Sequence, residues 1–240
     1  MCAQHASDWK KFGVSTWIKF QVNSDPDESI FQPLIPWQHS IRHPFYGKIQ
    51  NSAHDYMLVI GWETEKIYDT FRLSTDYQKL MANLTTDTAP DIQVIVFGNK
   101  MFGIRLTPDT ELLTVYWPIS TTPETQDAIW KLKKLVHTSA SGIINQHHYK
   151  KHPCFGWIEG NQTWNGQPVL ASVWLHGWKN DESEQKFKST QGRSVWKGSE
   201  LTHPLAVDVF QHDLRSLGAL GWESTHMPLQ LIKLIDEDAI

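Results

Sequence analysis

Histidine and tryptophan, at twelve each in 240 residues, are the side chains of this chain best suited to chemistry. The histidines fall in a spacing that occurs twice. His39-Ser-Ile-Arg-His43 runs into Pro44-Phe45-Tyr46-Gly47, and His148-Tyr-Lys-Lys-His152 runs into Pro153-Cys154-Phe155-Gly156. Imidazole is the group whose unperturbed pKa suits proton transfer near neutrality. Two histidines four apart on a helix would also share a face on which a metal could bind. The proline that follows disfavours helical geometry at His43 and His152, and no Asp or Glu repeats alongside them, so no metal is expected. The competing structural reading is that His-Pro closes a helix and its ring bonds the backbone.

Differences between the two copies narrow the choice. Tyr46 matches Phe155, and Ile60 matches His176. Strand parity puts Trp174, His176 and Trp178 on one face of their strand, as it does Leu58, Ile60 and Trp62. A His between two Trp is either a buried ring bonded to a neighbour or a base against an aromatic wall. If one half is active, His176 favours the second, with His152 and His148 near it; Tyr46 is the acid candidate in the first half, beside His43 and His39. Trp62, Trp157, Trp174, Trp178 and Phe155 are the residues expected to line a substrate site.

These candidates sit on a duplicated scaffold. The His-Pro-x-aromatic-Gly blocks are offset by 109 residues (43 to 152). The Gly-Trp pairs (61 to 177) and the phenylalanines that follow (71 to 187) are offset by 116. One offset that steps once, by seven, indicates an internal repeat with an insertion in a single loop. The insertion falls where Asn165-Gly166 signals a hairpin turn. Each half reads as strand, helix, strand, strand, helix, strand, which is the ferredoxin-like arrangement. The expected fold is therefore α+β, with two tandem βαββαβ units forming an intramolecular pseudo-dimeric barrel, over residues 1–105 and 106–240. Strands are expected near 14–22, 47–50, 56–62, 92–97, 112–117, 153–159, 169–178 and 206–211. Long helices are expected over 64–84 and 182–196, a broken one near 28–43, and another after the Thr122 cap. Residues from 214 onward look like a tail without a counterpart.

Composition bounds the function. A net charge of −4 argues against a nucleic-acid partner, and the lysine clusters at 131–134 and 150–151 read as solvated faces. No apolar run could span a bilayer, and no signal peptide is expected, so the reading is cytoplasmic. Two cysteines exclude a disulfide framework; Cys154 reads as a small apolar residue. There is no dinucleotide fingerprint, phosphate loop or nucleophile elbow, and no organic cofactor is expected.

Val59-Ile60-Gly61-Trp62-Glu63, followed at once by a helix with Phe71 and Ser74, resembles the dimeric α+β-barrel superfamily, and within it the antibiotic-biosynthesis-monooxygenase-like proteins of fungi. Leu175-His176-Gly177-Trp178-Lys179 with Phe187 is a second match. The resemblance covers roughly residues 14–100 and 110–212. It implies a pocket for polyketide-like rings, and chemistry ranging over cofactor-free monooxygenation, cyclisation, lactone isomerisation and haem degradation. The chain departs from the pattern in one place. Many fungal relatives carry a His early in the helix after Gly-Trp-Glu-Ser, and here that stretch is Thr64-Glu65-Lys66-Ile67.

Together these point to an enzyme of secondary metabolism, working without a cofactor on a small apolar or aromatic substrate. Its reaction would be acid/base driven cyclisation, isomerisation or dehydration, with cofactor-free oxygenation as the alternative. The rival from another class is a small-molecule binding protein that has lost catalysis. A homodimer is left open.

Overall fold

The computed structural model describes residues 13–98, 109–132 and 149–234, with the side chains of 43, 149–152 and 195–197 left aside. The chain divides into two units. The first comprises Met1–Pro108, Gly156–Glu159 and His226–Ile240, and the second comprises Asp109–Phe155 and Gly160–Thr225.

The first unit begins with β1 (Val14–Gln21), rich in the β-branched and aromatic residues that fill a pleated surface. A 3₁₀ helix (Glu28–Trp37) follows, capped by Asp27, whose side chain accepts from the Ser29 amide. Pro33 and Pro36 inside it remove donors that an α-helix would need, so the segment settles into the tighter helix. Then come β2 (Ile41–Lys48), β3 (Asp55–Trp62), α1 (Glu65–Arg72), α2 (Thr75–Leu84) and β4 (Asp91–Phe97). The sheet is antiparallel in the order β4-β1-β3-β2. Residues 156–158 pair with β4, and the short strand β12 (Gln230–Leu231) pairs with β2.

In the second unit the order is β5 (Thr110–Pro118), α3 (Pro123–Lys131), β6 (Tyr149–Ile158), β7 (Gln162–Trp164), β8 (Gln167–Trp178) and α4 (Asp181–Lys188). After these come the small hairpin of β9 (Val195–Lys197) and β10 (Glu200–Thr202), α5 (Ala206–Ser216) and β11 (Gly221–Met227). The sheet order is β11-β5-β8-β6. With β7, the β9–β10 hairpin and β12 set aside, the strands of each unit run fourth, first, third, second. The seven-residue insertion is the β7 hairpin on β8, turned by Asn165 (φ 49°) and Gly166 (φ 75°), which suit a tight hairpin turn.

Several expectations are corrected. The helix over 64–84 is two helices, because Ser74 turns to cap the second: its hydroxyl accepts from the Tyr77 amide (3.1 Å) and donates to the Phe71 carbonyl (2.7 Å). The helix over 182–196 stops at Lys188, where Ser189 and Thr190 bond back to the carbonyls of Lys186 and Phe187. Gly192 then lies so close to α5 that a Cβ there would meet Val209 at 2.6 Å. Residues 206–211 are not a strand but the start of α5, since buried Ala206, Val209, Phe210 and Leu214 recur at helical spacing. The fourth strand of the second unit is β11, inside the segment expected to be a tail. His43 and His152 are within β2 and β6 rather than ahead of them, so His-Pro closes no helix. Pro44 lacks an amide hydrogen and sits where the β2–β3 register shifts, between Arg42 and Phe45; its carbonyl accepts from Ile232. Among the described residues, no helix is long and apolar enough to cross a membrane.

Candidate active site

The second unit holds a charged cluster in its interior, and local pairing explains how it forms. β5 and β8 run antiparallel with Glu111 opposite His176. Parity then places Leu113, Val115 and Trp117 on the Glu111 face of β5, and Trp174 and Trp178 on the His176 face of β8. That face is covered by helices: Trp178 meets Phe187 of α4 at 5.8 Å between ring centroids, and Trp174 meets Phe210 of α5 at 5.6 Å. Helix α4 is capped by Asn180, whose side chain accepts from the Ser183 amide at 2.8 Å. Its acidic first turn and basic last turn match the helix dipole. The i, i+4 spacing lays Lys188 against Glu184.

Glu111 is the hub, with 3% of its surface exposed. One carboxylate oxygen accepts from the Lys188 ammonium at 2.8 Å and the Ser224 hydroxyl at 2.5 Å. The other accepts from the Trp178 indole at 2.8 Å and lies 3.5 Å from Nδ1 of His176, an ion-pair contact longer than a good hydrogen bond. A buried carboxylate costs several kcal/mol unless it is paired, and these partners supply the pairing. Burial alone would push Glu111 up; the positive charges at His176 and Lys188, with the hydrogen bonds from Lys188 and Ser224, outweigh it and hold the carboxyl at about 2. For Lys188, burial pulls the other way and is outweighed by Glu111 and Glu184, so its pKa is raised.

The same positions in the first unit hold different chemistry. Thr16 of β1 stands opposite Ile60 of β3, and the Trp62 indole donates to the Thr16 hydroxyl at 2.7 Å. Arg72 lies over the Tyr68 ring, 5.6 Å from its centroid, as Lys188 lies 5.7 Å from that of Trp178. No carboxylate stands where Glu111 does.

Of the residues expected to act, His176 is in the cluster and has no exposed surface. His39 is exposed in the turn after the 3₁₀ helix. Tyr46 is buried on β2, its ring 5.0 Å from Phe31; burial and the nearby Glu28 raise its pKa. His148 lies outside the described residues, as do the side chains of His43 and His152. Trp178 belongs to the cluster through its indole. Trp62, Trp174 and Phe155 are buried core rings; Phe155 packs between Trp130 and Trp174. Trp157 is half-buried, opposite Val96 of β4. Sequence reasoning missed Glu111, Glu184, Lys188 and Ser224. The available signal was Glu111 itself, a carboxylate on the same strand parity as Leu113, Val115 and Trp117.

No family model matches the chain, and no curated protein matches it in sequence. Solved structures do. An anthrone oxidase-like protein superposes with a TM-score of 0.58 at 10% identity, over 95% of this chain and 98% of its own. A protein from Lactobacillus acidophilus NCFM, named for a monooxygenase, gives 0.55 at 9% identity, over 92% and 95%. Another so named, from Fusobacterium nucleatum subsp. nucleatum, gives 0.52 at 9%, over 92% and 93%. At such identities the likeness is one of fold: the chain is a mixed α+β protein with the architecture of these α+β-barrel neighbours.

Proposed function

We propose that the chain is a cofactor-independent enzyme acting on an aromatic small molecule, that its two βαββαβ units form a tandem ferredoxin-like pseudo-dimer, and that the second unit does the chemistry. The observation that carries this is the Glu111–His176 pair, a carboxylate against an imidazole under the helices of one unit and absent from the other. A carboxylate beside Nδ1 favours the tautomer that leaves Nε2 as the basic nitrogen. His176 would take a proton from an enolisable or phenolic carbon acid, a contribution typically worth about 10² to 10⁴ in rate. The neighbours' names favour oxygenation over cyclisation as the step that follows. The carbanion of an anthrone would react with dioxygen to a peroxide that loses water, giving the anthraquinone and one water, with all four electrons accepted by dioxygen.

The test is anthrone in air-saturated buffer, with quinone absorbance and oxygen uptake followed together. The expected result is equal consumption and production above the buffer rate, lost in His176→Ala but retained in His39→Ala, whose ring is exposed. Binding seen as quenched tryptophan fluorescence without turnover would move the chain to the binding-protein reading. Turnover unaffected by His176→Ala would remove His176 as the base.

A further inference from the structure

Resting on that reading, we propose that Lys188 is a positioning residue: it keeps Glu111 an anion, so that a proton taken by His176 stays on the imidazole and is delivered to the peroxide oxygen that leaves as water rather than passing to the carboxylate. Three features of the geometry support this. First, Glu111 divides its two oxygens between two tasks. Oε1 is held by Lys188 and Ser224, whereas Oε2 faces the Trp178 indole and Nδ1 of His176. The oxygen next to the imidazole is thus aimed from the far side of the carboxylate.

Second, Lys188 is itself tethered. Glu184, one turn earlier on α4 and 4% exposed, binds the same ammonium, and the Trp178 ring lies beneath it. A long, flexible side chain is thereby confined to one position at the edge of the cluster, 24% exposed. Third, the repeat supplies a control. The first unit has a cation at the corresponding position, Arg72, but it lies against Tyr68, and the strand position that corresponds to Glu111 is a neutral Thr16. A cation at this helix position is therefore part of the shared scaffold, and its pairing with a strand carboxylate is particular to the second unit. Among the described residues of the second unit, the titratable groups that meet Glu111 or its ammonium partner are His176 on β8 and Glu184 and Lys188 on α4; Asp181, Glu182 and Lys186 of α4 are exposed, and Glu223 of β11 accepts from the Tyr116 hydroxyl.

The experiment uses the full chain and the variants Lys188→Met, Lys188→Arg and Glu184→Gln, with Lys186→Met as an exposed control on the same helix. Two readouts are taken: anthrone turnover, and the infrared carbonyl band of a protonated carboxyl during acid titration, assigned by its loss in Glu111→Gln. Lys188→Met should lower kcat on the order of 10²-fold, as loss of catalytic positioning does, with KM little changed. Its Glu111 band should appear at a higher pH than in the parent. Lys188→Arg should recover most of both, and Lys186→Met should match the parent. If Lys188→Met fails to fold, Glu184→Gln retains the ammonium but loosens it, and should give a smaller shift in the same direction. A parent-like band and parent-like kcat in Lys188→Met would overturn the proposal. If the parent does not turn over anthrone, the proposed function falls, while the infrared titration still decides what Lys188 does to Glu111.

Discussion

The two units share a strand order, a buried indole on the third strand and a cation on the helix that follows, yet one interior is neutral and the other charged. Thr16, Ile60 and Tyr68 in the first unit correspond to Glu111, His176 and Glu184 in the second. In both, the indole must donate to a first-strand oxygen, because a buried N–H without an acceptor is costly. Thr16 meets that need with a hydroxyl. Glu111 meets it with a charge, which then requires Lys188 and creates a place for Glu184. Buried ion networks at best roughly break even against well-packed apolar groups. The neutral interior shows that this strand and helix arrangement does not need a buried charge to form, so stability alone does not account for the charged one.

The sharpest way to break this comparison is to remove the hub. Glu111→Gln leaves the Lys188 ammonium facing a neutral amide in a mostly buried site, and should cost about 3–5 kcal/mol, as loss of one buried partner does. Thr16→Val, which removes the acceptor of the Trp62 indole and the hydroxyl beside Tyr68 but no charge, should cost about 1–3 kcal/mol. Chemical denaturation of both variants gives the two values. Equal losses would mean that the second interior is no more dependent on charge than the first.

Acid should distinguish the charged interior from the neutral one. Glu111 is ionised in the folded state down to about pH 2, against an ordinary value of 4.5. A depressed folded pKa contributes stability that is fully present above the unfolded pKa and is lost as pH falls through the folded one. The window is therefore about pH 4.5 to 2, and the loss is on the order of 3 kcal/mol at about 1.4 kcal/mol per pH unit. Lys188 carries the opposite sign. Its raised pKa adds stability below its ordinary value of 10.5, and that stability is lost as pH rises beyond it. Melting temperatures across both windows should fall in the parent. They should fall much less in a variant bearing the first unit's residues, Glu111→Thr, His176→Ile and Glu184→Tyr.

That triple variant sharpens the comparison further. If the three positions form one network, Glu111→Thr alone should be worse than the triple variant by roughly 1–3 kcal/mol, because neighbouring substitutions couple. Turnover should be absent in both. Additive losses would show that the three residues act independently rather than as one network.

The repeat was legible in the sequence because it is written in large, rarely substituted side chains at fixed offsets: Trp62 and Trp178, Phe71 and Phe187, and the His-Pro blocks. His176 was legible as the polar exception in an apolar strand. Glu111 obeyed the same rule and was passed over, because a lone carboxylate in a strand names no partner. Its partners come from β8, α4 and β11, which are 65 or more positions away in sequence (His176, Trp178, Lys188, Ser224). The misplaced fourth strand has a related cause. The β-branched Val207 and Val209 imitate a strand, and the burial spacing that makes α5 a helix is visible only when Ala206 and Leu214 are counted with Phe210.

The smallest expected effect concerns the point where the two units part after the shared phenylalanine. Ser74 and Thr190 are equivalent, and each donates its hydroxyl to the phenylalanine carbonyl three residues earlier, at 2.7 Å in both. Only Ser74 also accepts from an amide ahead of it, that of Tyr77 at 3.1 Å, and a second helix, α2, follows. Thr190 lacks that second contact because Gly192 and the approach of α5 turn the chain away, and its backbone carbonyl accepts instead from the Ala206 amide at 2.9 Å. Ser74→Ala removes an N-cap and should cost about 1 kcal/mol. Thr190→Ala removes one carbonyl contact near the surface and should cost about 0.5 kcal/mol, at the low end for a single hydrogen bond. Hydrogen exchange locates the difference. The amides at the start of α2 should lose protection in Ser74→Ala, whereas those of α5 should be unchanged in Thr190→Ala. Equal costs with no local loss of protection would mean that α2 is held by packing of Leu80 and Leu84 alone, and that the broken helix owes nothing to its cap.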